Sequence, residues 1–247
     1  MWKIGRHIFD FFFPALPRCV WCGDSYQPYY GLAFCRRCLN RMPLITGPVC
    51  SRCNRPLRGE KTDPCRQCRV ETLFYERGMA VAVYEGLMRE LLHAAKYYYR
   101  PDLARGLGTL LAAWAENEKR LEPVDAIIPI PLHSQKLIMR GYNQAELIAG
   151  PLAATLRRPL LTGVLHRIKP TQSQSKLNRQ ERKVNAANAF VVTDHAAVAG
   201  KRILLVDDIC TTGYTLSAAA QALLIAGAVS VRALTVAVGI LEEEWLG

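Results

Sequence analysis

Two adjacent acids and a short turn rich in hydroxyl groups form the part of this sequence with the clearest chemistry. The apolar segment 203–206 is followed by Asp207 and Asp208, and then by a turn that opens a predicted helix and contains Thr211, Thr212, Gly213, Tyr214 and Thr215. Unpaired backbone amides at a helix start carry the positive end of the helix dipole, so this turn can hold a phosphate. Carboxylates at the end of a strand can accept hydrogen bonds from ribose hydroxyls. The pattern predicts a site for a phosphorylated sugar.

The alternative interpretation of this segment is an acidic strand end followed by a threonine that caps the helix. The segment has neither the GxxxxGK[ST] pattern of P-loop proteins nor the GxGxxG pattern of dinucleotide-binding folds, so neither an ATPase nor a dehydrogenase follows from it. The sugar-phosphate prediction fails if Asp207 and Asp208 are turned inward into ion pairs, or if the protein's own side chains fill this corner.

Eight of the nine cysteines fall into four CxxC pairs: Cys19/Cys22, Cys35/Cys38, Cys50/Cys53 and Cys65/Cys68. A CxxC turn presents two thiolates to one tetrahedral ion, so four pairs predict two structural zinc ions with no position left open for catalysis. A disulfide scaffold is disfavoured because the chain shows no export signal. Sequential pairing, with the first two pairs on one ion and the last two on the other, is preferred, and interleaved pairing remains the alternative.

Residues on either side of position 72 differ in composition, which predicts two domains, 1–72 with the zinc ribbons and 73–247. In the second, predicted strands at 77–84, 124–130, 203–206 and 229–238 alternate with predicted helices at 87–98, 102–118, 135–156 and 213–226. Strands separated by helices imply right-handed crossovers and a mostly parallel sheet covered on both faces. The predicted fold class is α/β, with a small N-terminal zinc-ribbon domain.

The segment from Asp207 to Thr215 closely resembles the phosphoribosyl pyrophosphate (PRPP) signature of type I phosphoribosyltransferases. Three further segments narrow the resemblance to the ComF/GntX family of competence-related, phosphoribosyltransferase-like proteins. They are 129–133 (PIPLH), 140–144 (RGYNQ) and the spaced set Arg167, Thr171, Gln174, Leu177, Arg182, Asn185 and Phe190. The resemblance covers the chain after residue 18 and implies a type I phosphoribosyltransferase fold, a twisted, mostly parallel sheet with helices on both faces.

The resemblance also implies roles for individual residues. Asp207 and Asp208 would bind the ribose 2- and 3-hydroxyls, and the turn from Thr211 to Thr215 would hold the 5-phosphate. The loop after the first core strand would help to bind pyrophosphate, and it corresponds to Pro131, Leu132 and His133. Arg140 and Lys96 are candidate partners of the diphosphate, since cations there would offset charge on the leaving group. Magnesium is expected to accompany PRPP, because it bridges diphosphate and ribose oxygens.

The stretch 157–188 is polar and predicted to be a mobile flap. Its basic residues outnumber its one acid, Glu181, between 167 and 185; they include Lys169, Lys176, Arg179, Arg182 and Lys183. A flap that closes over PRPP would exclude water from the reaction, whereas the same basic run could grip single-stranded DNA. Tyr97, Tyr98 and Tyr99 could stack on bases, although clustered tyrosines more commonly serve packing.

The charge of the whole chain favours acidic partners. It contains 32 Lys and Arg against 21 Asp and Glu, a formal net charge of +11, and two zinc sites of four cysteines each would lower this to about +7. The apolar run at 8–16 is broken by Asp10 and Pro14, so it is too short for the ~20 residues of a bilayer span. A core or interdomain plug is the favoured role for its phenylalanines, and a cytoplasmic location without a membrane span is expected.

Two functions of different classes follow. The first is a PRPP-binding protein of the ComF/GntX type that handles single-stranded DNA during uptake, with PRPP or a nucleoside 5-phosphate as ligand and competence or DNA-processing proteins as candidate partners. The second is an active phosphoribosyltransferase acting on an unidentified base or amine, without a nucleic-acid role. The two functions differ in whether a base or amine acceptor is bound. The sequence contains no recognisable segment for binding an acceptor base, so it does not decide between them.

Overall fold

The structure is a computed structural model, and it describes residues 16–57, 64–116, 118–121, 123–169 and 189–240. The apolar run predicted to be a core or interdomain plug lies almost entirely outside the described residues. So do four of the basic residues of the predicted flap, Lys176, Arg179, Arg182 and Lys183. Within the described ranges, no helix combines the length and apolarity needed to cross a membrane.

A four-stranded parallel sheet forms the centre of the molecule. Its strands lie in the order β1 (Arg77–Val83), β6 (Ser230–Val238), β5 (Arg202–Cys210) and β2 (Ala126–Pro129). Their residues are almost continuously apolar and buried, as expected of strands that are covered on both faces. The α/β prediction is confirmed.

Helices cover both faces of this sheet. Leu204 and Val206 of β5 pack in one core with α3 (Gly86–Tyr97), α4 (Pro101–Ala115) and α6 (Gln144–Leu156). On the opposite face, Ile203 and Leu205 pack with α7 (Tyr214–Ile225). Because successive side chains of a strand point to opposite faces, β5 contributes side chains to both cores.

One predicted helix, over 135–156, is wrong. The structure has two helices there, α5 (Ser134–Arg140) and α6, separated by Gly141 and Asn143. Gly141 adopts φ +77°, a left-handed conformation that ends α5. The Asn143 side chain then accepts a hydrogen bond from the Ala145 amide at 3.1 Å and starts α6 anew. The helical pattern of apolar residues continues on both sides of the break, so the pattern alone did not indicate it.

The stretch predicted to be an irregular flap contains regular structure at its beginning. Leu165–Arg167 forms β3, which pairs antiparallel with β4 (Phe190–Val192). The expectation of no regular structure over 157–188 is therefore wrong for Leu165–Arg167, the mobility of the flap stays a prediction, and 170–188 lie outside the described part of the chain.

Both ribbons of the cysteine-rich segment, residues 19–38 and 50–68, pack against the sheet domain. The segment contains two short helices, α1 (Arg36–Leu39) and α2 (Arg66–Val70), and a 3-10 turn at Lys119–Leu121 lies beyond it in the chain. The first ribbon contacts α4 at Gly106, where an added β-carbon would lie 3.0 Å from the side chain of Val20. The second ribbon contacts β1, because the Gly78 amide donates to the Arg52 carbonyl at 2.7 Å. The boundary near residue 72 stays a prediction.

Candidate functional site

A cavity of about 530 Å³ lies at the carboxyl end of β5, which extends beyond the end of the neighbouring strand β2. The last register pair of the two strands is Pro129 with Val206, whereas β5 continues to Cys210. The sequence predicted that this strand would end at Val206, which is wrong: both acids lie within the strand. Because β2 stops early, the final residues of β5 keep one edge available to the cavity, in agreement with the rule that open parallel sheets bind ligands at their carboxyl ends.

The cavity brings together most of the residues that the sequence singled out. Lining residues among the predicted ones are Lys96, Leu132, Arg140, Asp207, Asp208, Thr211, Gly213 and Thr215. Four others are not among the lining residues in the described part of the chain: Pro131, His133, Thr212 and Tyr214. The ring nitrogen Nδ1 of His133 instead accepts from the Gln135 amide at 3.4 Å and caps α5.

The two adjacent acids have different surroundings. Asp208 lies on the same face of β5 as Val206 and is 3% exposed, and its carboxylate Oδ2 is 2.8 Å from the ammonium Nζ of Lys96. Burial is the largest single influence on the pKa of Lys96 and lowers it, but the charge and hydrogen bond of Asp208 together with the charge of Asp207 outweigh burial, so the pKa is raised. An acid in an inward ion pair is the arrangement that would contradict the sugar-phosphate prediction, and Asp208 shows it.

Asp207 points to the other face of β5, is half-buried and lines the cavity. Its pKa is raised from 3.8 to about 7, first by burial and then by the negative charge of Asp208. Its Oδ1 accepts a hydrogen bond from the Asp208 amide at 2.8 Å, which fixes the side chain. Asp207 is therefore the acid of the pair that is presented to a ligand.

Basic side chains outnumber acids around this cavity. Five line it within the described residues, Arg89, Lys96, Lys136, Arg140 and Arg167, against Asp207 and Asp208. The pKa of Lys136 is lowered by burial and then by the positive charges of Arg167 and Arg140. Burial also lowers the pKa of Arg167. The cavity thus brings together positive charges that disfavour one another's charged forms. An anionic ligand would reduce this electrostatic repulsion.

Sequence reasoning missed Lys136 and Arg89. A signal for Lys136 was present, because it lies four residues before Arg140, and residues at this spacing share one face of a helix. Arg89 lies in the first turn of α3, seven residues before Lys96. Seven residues are about two helical turns, so Arg89 and Lys96 lie on the same face of α3. The cavity confirms that these pairs converge.

The turn after β5 has the conformation expected at a helix start. Gly213 adopts φ +81° immediately before α7, and a β-carbon there would lie 2.5 Å from the Tyr75 hydroxyl. Only glycine meets both requirements without strain. The Thr212 hydroxyl is buried, and no described residue hydrogen bonds to it. The Tyr214 hydroxyl donates to Glu71 at 2.7 Å, so this side chain belongs to the contact with the second ribbon.

Three consecutive tyrosines are largely exposed, and the first of them, Tyr97, lines the cavity. Tyr97, Tyr98 and Tyr99 are 59%, 68% and 72% exposed, so a role in core packing does not describe them. The Arg140 guanidinium lies 5.8 Å from the centre of the Tyr97 ring, a cation–π distance. The His93 ring contacts both Tyr97 and Tyr98, with centroids 4.7 and 5.4 Å away. Aromatic surface therefore continues outward from the cavity.

The cysteines form two separate groups of four sulfurs. One contains Cys19, Cys22, Cys35 and Cys38, the other Cys50, Cys53, Cys65 and Cys68, and within each group all sulfurs lie within 4.8 Å of one another. The sulfurs of Cys22 and Cys35 are 3.6 Å apart, and those of Cys53 and Cys65 are 3.7 Å apart. Tetrahedral zinc with bonds of about 2.3 Å requires about 3.8 Å. The sequential pairing is confirmed, and both groups fit a structural zinc ion.

Comparison with known proteins identifies both parts of the chain. Residues 8–69 match the double zinc ribbon domain, and residues 142–242 match the phosphoribosyl transferase domain. The DNA utilization protein YhgH of Escherichia coli (strain K12) is 32% identical over 212 residues, which are 78% of this chain and 92% of that protein. Competence protein F of Haemophilus influenzae is 30% identical over 205 residues, covering 81% of this chain and 87% of that protein.

Among solved structures, the B. subtilis glutamine PRPP amidotransferase complexed with ADP and GMP aligns with a TM-score of 0.38 at 20% identity. The alignment covers 57% of this chain and 30% of that one.

Proposed function

Because this chain belongs to the ComF family, in which a double zinc ribbon precedes a phosphoribosyltransferase domain, we propose that its cavity binds PRPP or a nucleoside 5-phosphate together with magnesium. We further propose that this binding serves the handling of incoming single-stranded DNA. The names of two relatives, a competence protein and a DNA utilization protein, support the second part.

The observation that carries the ligand class is the excess of positive charge around the cavity, where five basic side chains line the wall against two acids. The pKa of Lys136 is lowered by burial and by the positive charges of Arg167 and Arg140, so the charged form of Lys136 is disfavoured in the free cavity. An anion with several charges would offset these positive charges from within the cavity. A sugar with one phosphate and one diphosphate has such charges at both ends.

The chemistry of the wall suggests how each part of the ligand is held. Asp207 can accept hydrogen bonds from ribose hydroxyls once it is ionised. The amides of the turn before α7 can bind the 5-phosphate, because they form the start of a 12-residue helix. The diphosphate would then contact Lys136, Arg140 and Arg167, which line the same cavity. Lys96, expected to contact the diphosphate directly, is held by Asp208 and contributes to the field of positive charge.

Magnesium would enter with the ligand. Carboxylate oxygens such as those of Asp207 are ligands that magnesium accepts, and the ion commonly completes its coordination with phosphate oxygens and water. A divalent cation at this point would also favour the ionised form of Asp207, whose pKa is about 7 in the free protein. PRPP binding is thus expected to strengthen when magnesium is added.

Titration calorimetry with PRPP and magnesium tests the ligand assignment. We expect saturable binding by the wild-type protein and a loss of about tenfold or more in the Lys136→Met variant, because one charged contact to phosphate is removed. Lys201→Met is the matched control, since Lys201 lies just before β5, at the opposite end of the strand from the acids. Equal affinity of both variants, or no binding by the wild-type protein, would refute the assignment.

The exposed tyrosines support a nucleic-acid surface beside the cavity. Rings that are more than half exposed and lie near arginine side chains are suited to stacking on unpaired bases. Tyr97→Ala combined with Tyr98→Ala should weaken binding of a single-stranded oligonucleotide, with stacking worth about 1–3 kcal/mol per base. Tyr30→Ala is the control, because Tyr30 is 79% exposed and does not line this cavity.

Pyrophosphate release separates this function from the second candidate, an active phosphoribosyltransferase without a nucleic-acid role. Release of pyrophosphate when PRPP and a panel of bases or amines are supplied, with no oligonucleotide binding, would favour the transferase. Oligonucleotide binding that weakens steeply with salt, without pyrophosphate release, favours the DNA-handling protein.

A further inference from the structure

The second zinc ribbon reaches the turn that is proposed to hold the phosphate. Two side chains make the connection: Arg55, two residues after the zinc ligand Cys53, and Gln67, which lies between the ligands Cys65 and Cys68. Both are buried at 2% exposure. Neither belongs to the cavity wall in the described part of the chain, so they act on the turn from the side of the ribbon.

Arg55 donates hydrogen bonds to two backbone carbonyls, one in the turn after β5 and one just after the end of β6. Its guanidinium donates to the Thr211 carbonyl, and its Nε donates to the Gly239 carbonyl at 2.9 Å. Gly239 is itself joined to the end of β5, because its amide donates to the Cys210 carbonyl at 2.8 Å. One buried side chain of the ribbon therefore holds the ends of β5 and β6 and the first residue of the turn together.

Gln67 holds the next peptide group. Its Nε2 donates to the Thr212 carbonyl at 2.8 Å, and its Oε1 accepts from the guanidinium of Arg55. The two side chains thus form one connected unit. Burying a guanidinium is costly unless its donors are satisfied, and here the Thr211 carbonyl, the Gly239 carbonyl and Gln67 Oε1 accept hydrogen bonds from it.

The geometry of the peptide bond gives these contacts a directional effect. In a trans peptide, the carbonyl of one residue and the amide of the next point in opposite directions. Holding the Thr211 and Thr212 carbonyls toward the ribbon therefore turns the amides of Thr212 and Gly213 away from it. Gly213 lines the cavity, so an amide turned away from the ribbon is available on the side where the phosphate is proposed to bind.

We propose that Arg55 and Gln67 are positioning residues through which the second zinc ribbon aims the amides of Thr212 and Gly213 at the ligand phosphate. The inference rests on the proposed function for the identity of the ligand, but the conformation of the turn can be measured without any ligand. Zinc at Cys50, Cys53, Cys65 and Cys68 would thus be required for the binding turn as well as for the ribbon.

Hydrogen exchange in the free protein tests the positioning directly. We expect Arg55→Met to accelerate exchange of the amides at 212–216 by about tenfold or more, because the first turn loses its anchors, while core amides of β6 stay protected. Arg52→Met is the matched control. Arg52 lies in the same knuckle, but its guanidinium donates to the Leu73 carbonyl at 2.9 Å, outside the turn at 211–215. Unchanged exchange at 212–216 in Arg55→Met would overturn the proposal.

Ligand affinity and zinc content complete the test. The zinc content of Arg55→Met should equal that of wild type, with PRPP affinity weakened about tenfold or more, and Arg52→Met should bind as wild type. Gln67→Leu, which keeps Arg55, is the second variant in case Arg55→Met does not fold, and it should show a smaller effect in the same direction. PRPP affinity retained in both variants would contradict the inference alone. Absence of PRPP binding by the wild-type protein would contradict the proposed function alone, while exchange at 212–216 still decides the positioning.

Discussion

The ammonium Nζ of Lys96 lies 2.8 Å from the carboxylate Oδ2 of Asp208, and both side chains are largely buried in the wall of the cavity. This ion pair joins α3 to the central strand β5. It makes two adjacent acids unequal, because Asp208 is neutralised by a fixed partner while Asp207 faces the cavity with a pKa of about 7. The first acid of the pair is the one available to a ligand.

Removing one partner of this ion pair should destabilise the protein more than removing both partners. Lys96→Met leaves the Asp208 carboxylate buried without its cation, which typically costs about 3–5 kcal/mol. The double variant Lys96→Met with Asp208→Asn removes both charges and should recover most of that loss. Urea unfolding of the wild type and the two variants measures the difference, and equal losses in the single and double variants would contradict the buried pair.

Asp207 should make the stability of the protein depend on pH. Because its pKa rises from 3.8 to about 7 on folding, the folded protein keeps a proton between these values that the unfolded chain releases. The stabilisation from this group is complete at low pH and is lost as the pH rises through about 7. Asp207→Asn mimics the protonated acid, so it should raise Tm relative to wild type by about 3 °C or more at pH 8, and by much less at pH 4. Thermal unfolding curves whose midpoints differ equally at both pH values would argue against a raised pKa.

Gly213 should tolerate no larger residue while Tyr75 keeps its hydroxyl. Gly213→Ala places a β-carbon 2.5 Å from that oxygen at φ +81°, and the left-handed conformation alone costs about 1–2 kcal/mol. In a Tyr75→Phe background the oxygen is absent, so the same substitution should cost less. A double-mutant cycle from denaturant unfolding measures the coupling, and strictly additive losses would show that the two groups do not meet.

Each group of four cysteines should hold its own zinc ion. The two groups share no sulfur, so Cys38→Ser should lower the zinc content of the purified protein from about two ions per chain to about one, and Cys68→Ser should do the same. Both variants should lose thermal stability, because small ribbons depend on the metal for their folding. A variant that loses both ions at once, or neither, would be inconsistent with two independent sites.

Several features of the fold could be read from the sequence because they depend on nearby residues. The strands at 77–83 and 230–238 were predicted to within one residue because they consist of continuous apolar and β-branched residues. The break at Gly141 was missed, because glycine and asparagine in an apolar surrounding resemble a tolerated interruption of one helix. The length of β5 was also missed, since aspartates are unfavourable in strands, whereas β5 continues past them by pairing with β6, with Asp207 opposite Thr235 and Cys210 opposite Val238.

The site was predicted in part for the same reason. Asp207, Thr211 and Gly213 follow one another along the chain, so their common position could be inferred from a strand, a turn and a helix. Lys136 and Arg167 reach the same cavity from α5 and β3, and nothing local indicates that they converge. The ion pair between Lys96 and Asp208 likewise depends on how α3 lies across the sheet.

The sequence by itself determined the eight cysteines that fit zinc and the order of strand, turn and helix at the proposed phosphate site, because each of these is set by residue types within a few positions of one another. It preferred sequential over interleaved pairing of the cysteines, and the tertiary structure decided in favour of the sequential pairing. The tertiary structure alone decided that Asp208 is paired inward while Asp207 faces the cavity. It also decided that Arg55 holds the Thr211 carbonyl across a separation of 156 residues. Such contacts arise from the packing of distant segments, whose relative placement is fixed only when the hydrophobic cores on both faces of the sheet form together.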